Sequence, residues 1–401
     1  MQKWIGGWGY RVTDFGLFPL IVENETQRIL IKHNVYAEKV RVEFSNYYGR
    51  HPLPISHATI ACVKDNGEIL CDSSRTLTFD GNDSIVLKPG EVRYCDAIDF
   101  AAKPEERIAV SVYIQPRTVI TGACSSQSKI LTEVKNISGG DYCTQPNFDA
   151  YDQHDHFVDF LREKPLYTCF YGVSEVEFLT DRKTHTTVVF GDSITQQGHW
   201  SEAFSENLYC VAPGETTVLN RGICGNRVLH DASTRGYFGN YFGPAGVERF
   251  EEDVFLNHDT PVDSVIILEG INDLIQPRVL VPKFESVTAD QVINGYIKYE
   301  EIAHRYGASV YIATTLPYRG YMDAWCEEDE ETRQKLNDWI RNGDHHFDGV
   351  IDFEKAVCDP NYPDRLLETL QCGDRLHPNV NGGAEMAKMV PLNKFINVKE
   401  K

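Results

Sequence analysis

The stretch TTVVFGDSITQQGHW, Thr186 to Trp200, decides how the second half of the chain is read. A β-prone run ends in Gly191-Asp192-Ser193. Asp and Ser are good N-caps, so one reading is a strand stop followed by a helix start. The other is a nucleophile at the mouth of a parallel sheet. A serine just past a strand can expose its hydroxyl while its own backbone N–H points at the same spot. The surrounding sequence has to separate the two.

After residue 180, apolar runs alternate with helical segments. TTVLNRGI, DSVIILEGI, ASVYIATTLPY and GVIDF are continuous enough to be strands buried on both faces, as in a parallel sheet. Between them, Thr288 and Gln291 have capping-box spacing. Val292, Ile293, Tyr296 and Ile297 follow at helical intervals. The acidic run Glu327 to Glu331 suits the positive end of a helix dipole, as a solvated first turn. Strands alternating with helices predict a doubly wound α/β layer, with ligands beyond the carboxyl ends of the strands. Gly-Asp-Ser lies at that end of the first strand.

Before residue 180 the period changes. In KVRVEFS, Val40, Val42 and Phe44 alternate with charged residues. SIVLKPGEVRYC reads as two strand-like runs around Pro89-Gly90, and RIAVSVYI as another strand. Short strands with Gly, Asn and Pro punctuation predict an antiparallel β-sandwich. The expected division is therefore 1–180, a sandwich, and 181–401, an α/β domain.

Three further stretches join Gly-Asp-Ser in the second half. In LNRGICGNR, Gly225 can turn its backbone N–H into a cleft where a side chain would block approach. In ILEGINDL, Asn272 can donate to a developing oxyanion. In CGDRLHPNVNGG, Asp374 and His377 are three apart, so the carboxylate can accept from one ring nitrogen while the other faces the cleft. Each stretch alone reads as an ordinary turn, cap or surface loop. Together, in order and in an alternating α/β half, they favour catalysis.

These four blocks resemble those of the SGNH (GDSL) hydrolase family, with Ile194 in place of the family's Leu. The resemblance implies a flavodoxin-like three-layer domain with a parallel sheet. It implies Ser193 as nucleophile, His377 as base and Asp374 as its orienter. The implied oxyanion hole is the Ser193 and Gly225 backbone N–H groups and the Asn272 side chain. Val40 to Ala61, with Trp4 and Trp8, is similar to the N-terminal region of a two-domain bacterial subgroup that includes acetyl xylan esterase-like proteins. The sandwich expected over 1–180 is jelly-roll-like.

The implied activity is a serine esterase of short-acyl or carbohydrate O-acetyl preference, needing no metal or organic cofactor. A lipase, arylesterase or thioesterase using the same residues is the alternative of broader acyl range. A carbohydrate-binding protein with a vestigial hydrolase half is the alternative of a different class. Trp200, Tyr237 and Tyr241 are candidate substrate contacts, able to stack on a sugar ring or line an acyl pocket. Alternatively, the Tyr237 and Tyr241 segment packs the seam between domains. Trp4 and Trp8 look more like core anchors.

A net charge of −20 repels phosphate backbones and anionic lipid, so nucleic acid and membranes are not expected partners. A small-molecule or oligosaccharide ester is. The eleven cysteines show no C-x-x-C pair, which fits reduced thiols better than a disulfide framework or zinc site. With no apolar segment of signal-peptide length in MQKWIGGWGYRVTDF, the expected location is cytoplasmic. His154 and His156, and the His345-His346 pair, read as solvated surface rather than metal ligands. Oligomeric state leaves no mark on the sequence.

Overall fold

The computed structural model describes residues 2–104, 106–149, 168–231 and 239–397. It divides into two compact units. One is Met1–Thr184 with Leu208–Leu219, and the other is His185–Asn207 with Asn220–Lys401.

In the first unit, alternation builds antiparallel sheets. Val40, Val42 and Phe44 are fully buried, while Lys39, Arg41 and Glu43 between them are only half-buried. Their strand, Ala37–Ser45, pairs with Gly172–Thr180, Val92–Tyr94 and Ile98–Ala102, and Lys3–Gly9 adds to Gly172–Thr180. A second five-stranded sheet runs in the order Thr132–Ser138, Glu25–Lys32, Arg107–Ile114, His57–Val63, Arg75–Thr76. The Trp8 indole N–H donates to Thr132 Oγ1 at 2.9 Å, tying the first sheet to the second. Trp8 is buried against Tyr10 and Phe170. Trp4 is only half-buried, beneath the Arg41 guanidinium, and so is not a core anchor. The runs flanking Pro89-Gly90 do not pair with each other. Ile85–Leu87 pairs with Leu53–Ile55, whereas Val92–Tyr94 pairs with Ala37–Ser45. Gly90 takes φ +79°, and that turn passes the chain from one sheet to another.

The second half of the chain contains a five-stranded parallel sheet, of which residues 216–219 alone are grouped with the first unit. The sheet's strands are β1 (His185–Gly191), β2 (Thr216–Gly222), β3 (Ser264–Leu268), β4 (Ser309–Ala313) and β5 (Gly349–Ile351). The spatial order is β2-β1-β3-β4-β5. This is the flavodoxin-like order, with the switch in direction between β1 and β3. All five residues of β3 are buried, as expected for a strand covered on both faces.

The helices are α1 (Ser193–Gln196), α2 (His199–Val211), α3 (Gly246–Glu251), α4 (Ile271–Val279), α5 (Ala289–Arg305), α6 (Glu327–Asn342), α7 (Phe353–Val357) and α8 (Val380–Lys388). Side chains of β1 alternate between two layers. His185 faces Phe395, which also meets Phe204 of α2 and Tyr311 of β4. Phe190 faces Phe250 of α3 and Tyr299 of α5. An odd separation of five residues places these two on opposite faces. Helices therefore cover both sides of the sheet.

Thr288 caps α5 through a full capping box with Gln291. Glu327, Glu328, Asp329 and Glu330 form the first turn of α6. Among the described residues, no helix is long and apolar enough to cross a membrane.

Candidate active site

Gly191 is fixed by space. A Cβ there would sit 2.0 Å from the Leu268 carbonyl oxygen, so only glycine lets β1 close against β3 at this point. The chain then turns. Asp192 caps α1 by accepting from the Ile194 N–H at 2.9 Å, and Ser193 becomes the first helical residue. The strand stop and helix start are thus both present, and the cap is what presents the serine.

Ser193 Oγ lies 2.8 Å from His377 Nε2, and His377 Nδ1 lies 2.6 Å from Asp374 Oδ2. The other Asp374 oxygen accepts from the backbone N–H groups of Leu376 and His377 at 3.0 and 2.9 Å. Burial pushes the Asp374 carboxyl up. The opposing pull of His377 and these N–H donors is stronger and holds it well below the usual carboxylate range. The Asp374 side chain is 2% exposed and that of His377 12%. His199, beside them at the start of α2, is lowered to about 4 by burial and by the charge of His377. The Tyr321 ring sits edge-on to His377, with centroids 6.4 Å apart.

The three expected oxyanion donors follow β1, β2 and β3, which are neighbours in the sheet. Among the described residues, the backbone N–H groups of Ser193 and Gly225 make no hydrogen bond. Gly225 has φ +70°, and a Cβ there would meet the Phe242 ring at 2.0 Å. Asn272 Nδ2 donates one hydrogen to the Asn226 carbonyl at 3.0 Å, leaving its second free for an oxyanion.

Helix α4 holds the whole Gly225 loop. Gln276 Nε2 donates to the Gly225 carbonyl, and Asp273 accepts from the Val228 and Leu229 N–H groups. Burial raises Asp273 to about 6. Arg249 also braces the site. It donates to the Gly191 and Arg221 carbonyls and to Asn226 Oδ1, at 2.9, 2.9 and 2.7 Å. Asn226 in turn donates to the Phe242 and Pro244 carbonyls, each at 2.7 Å.

The sequence did not assign roles to Asn226, Arg249, Asp273 or Gln276. Of these, only Arg249 carried a separate local sign, its i,i+4 pairing with Asp253. Two aromatic expectations need correction. Trp200 is fully buried against Phe353, with Phe204 alongside, and has no face for a substrate. Tyr241 is 2% exposed and packs beside Phe242. Both side chains are spent on core packing. Tyr237, His154 and His156 lie outside the described residues.

Residues 189–384 match the family model of the GDSL-like Lipase/Acylhydrolase family. No curated protein matches the chain. Among solved structures, the chain is similar to Axe2, an acetylxylan esterase from Geobacillus stearothermophilus. That match has 19% identity and TM-score 0.39, covering 52% of this chain and 92% of the other. A GDSL-like lipase from Bacteroides thetaiotaomicron VPI-5482 matches at 17% identity and TM-score 0.36, over 52% and 88%. An alpha/beta hydrolase enzyme from the Lake Arreo metagenome matches at 16% and 0.40, over 54% and 98%. The four blocks and the family match agree, and residues 189–384 of this chain form a domain of the GDSL-like lipase/acylhydrolase family.

Proposed function

We propose that the protein is a serine esterase that hydrolyses carboxylic esters through an acyl-enzyme, with preference for short acyl groups such as the O-acetyl groups of carbohydrates. The observation that carries this is the hydrogen-bonded chain from Ser193 Oγ through His377 to Asp374. In the proposed reaction Ser193 Oγ attacks the ester carbonyl while His377 Nε2 takes its proton. Asp374, held ionised, fixes the tautomer with Nδ1–H toward itself and supports the imidazolium. The oxyanion is received by the Ser193 and Gly225 N–H groups and the free hydrogen of Asn272. His377 returns the proton to the leaving alcohol. It then activates a water that attacks the acyl-enzyme and releases the acid.

The test is hydrolysis of acetylated xylo-oligosaccharides together with acetyl and octanoyl esters of 4-nitrophenol. Acetyl esters are expected to turn over faster, and Ser193→Ala to abolish turnover while the fold is retained. Faster octanoyl hydrolysis would move the reading to a lipase-like enzyme. Glycan binding with no turnover of any ester would leave only a binding protein.

A further inference from the structure

In the first unit, three potential metal ligands of different chemistry meet far from Ser193 in sequence. His57 opens the strand His57–Val63, and Asp141 and Cys143 lie in the loop after Thr132–Ser138. His57 Nδ1 is 2.7 Å from Asp141 Oδ2, and one ligand atom of each of the three residues lies within 4.8 Å of the other two. We propose that His57 Nδ1, the Asp141 carboxylate and Cys143 Sγ form a binding site for one zinc-class divalent cation.

The ligand set selects the metal. Thiolate with imidazole suits Zn²⁺, whereas Mg²⁺ and Ca²⁺ take oxygen ligands. Zinc bonds of about 2.0–2.3 Å place tetrahedral ligand atoms roughly 3.3–3.8 Å apart, so on binding His57 Nδ1 and Asp141 Oδ2 part from 2.7 Å, while all three ligand atoms already lie within 4.8 Å of one another. A water completes the tetrahedron, and the partly exposed His57 and Asp141 side chains give the ion a way in.

The loop is already held in place. Cys143 N–H donates to Asp141 Oδ1 at 3.0 Å, and Tyr142 N–H to Thr26 Oγ1 at 3.0 Å. A positive charge beside Cys143 is Arg28. Its guanidinium is committed to the carbonyls of Tyr142, Cys143, Gln145 and Pro146 and to Ser111 Oγ. It therefore braces the loop that carries two of the ligands. Burial pushes the Cys143 thiol up. On binding, the Sγ–metal bond forms, the S–H bond breaks, and the proton leaves to solvent.

The experiment uses the full chain, stripped with a chelator and titrated with Zn²⁺ and Co²⁺. Expected are one ion per chain, proton release to the buffer, and a near-ultraviolet thiolate-to-cobalt absorption band. Zn²⁺ should also raise the melting temperature of the stripped protein. Cys143→Ser should remove the cobalt band, and His57→Gln and Asp141→Asn should each weaken binding at least tenfold. Cys210→Ser, an exposed thiol elsewhere, should change nothing. If Cys143→Ser does not fold, the two surface variants carry the test. No stoichiometric binding, binding unaffected by His57→Gln and Asp141→Asn, or a cobalt band that survives Cys143→Ser overturns the site.

Discussion

A serine hydroxyl is a weak nucleophile until a base takes its proton, and a base is useful only if its tautomer is fixed. Here Asp374 receives three N–H donors, one from the ring and two from the backbone, and this fixes the imidazole edge presented to Ser193. Asn272 is the one side-chain donor among the three proposed for the oxyanion, so it can be removed by substitution. In the proposed reaction Asn272→Ala removes one oxyanion contact, along with the bond to the Asn226 carbonyl, and is expected to lower kcat by about 10²- to 10³-fold with little change in KM, measured on a 4-nitrophenyl ester. Unchanged kcat would remove Asn272 from the mechanism. At this scale the sequence was informative wherever chemistry is tied to spacing. Asp374 and His377, three apart, needed no structure to be paired. Trp200 and Tyr241 were misread because an aromatic near a nucleophile looks the same in sequence whether it faces the cleft or the core.

Between residue and fold, α4 and Arg249 give the loop after β2 its shape. Asn272, Asp273 and Gln276 each bond that loop, and Arg249 ties Gly191 to Asn226. These links join segments that are separate in the chain, so no local pattern announces them. Gly225→Ala should be costly. A left-handed backbone costs a non-glycine residue about 1–2 kcal/mol, and Phe242 would also have to move. A lower melting temperature together with a reduced kcat is the expected result. An unaffected variant would mean that the tight fit around Gly225 is not required. Thr288→Ala provides the contrast. Losing the capping box of α5 should cost about 1 kcal/mol in urea unfolding and leave kcat unchanged. A fall in kcat equal to that in Gly225→Ala would mean that stability alone governs activity. The α5 cap was legible in sequence because a capping box is local. The partners of the strands around Pro89-Gly90 were not, since a turn does not say which sheet the chain enters next.

At the scale of the molecule, apolar periodicity carried most of the fold. Period-2 alternation up to residue 180 and buried runs after it separate an antiparallel unit from a parallel α/β layer. Strand order was beyond the sequence residues themselves, because register and neighbours are long-range choices; it entered only through the family resemblance. Burial also sets the response to acid. His33 is fully buried, stacked on Phe178, and burial lowers it to about 3. The unfolded chain protonates it below about 6.5 and the folded chain does not. The folded state therefore loses about 1.4 kcal/mol per pH unit from this group as pH falls from about 6 to 4. His33→Phe should reduce the pH slope of stability by that amount in urea titrations. An unchanged slope would mean that His33 is protonated in the folded protein.

The central claim, a nucleophile at Ser193 activated by His377, is tested most directly by fluorophosphonate labelling with mapping of the modified peptide. A single adduct on Ser193, absent from Ser193→Ala and greatly slowed in His377→Ala, is the predicted result. An adduct on another residue, or full ester turnover by Ser193→Ala, would contradict it.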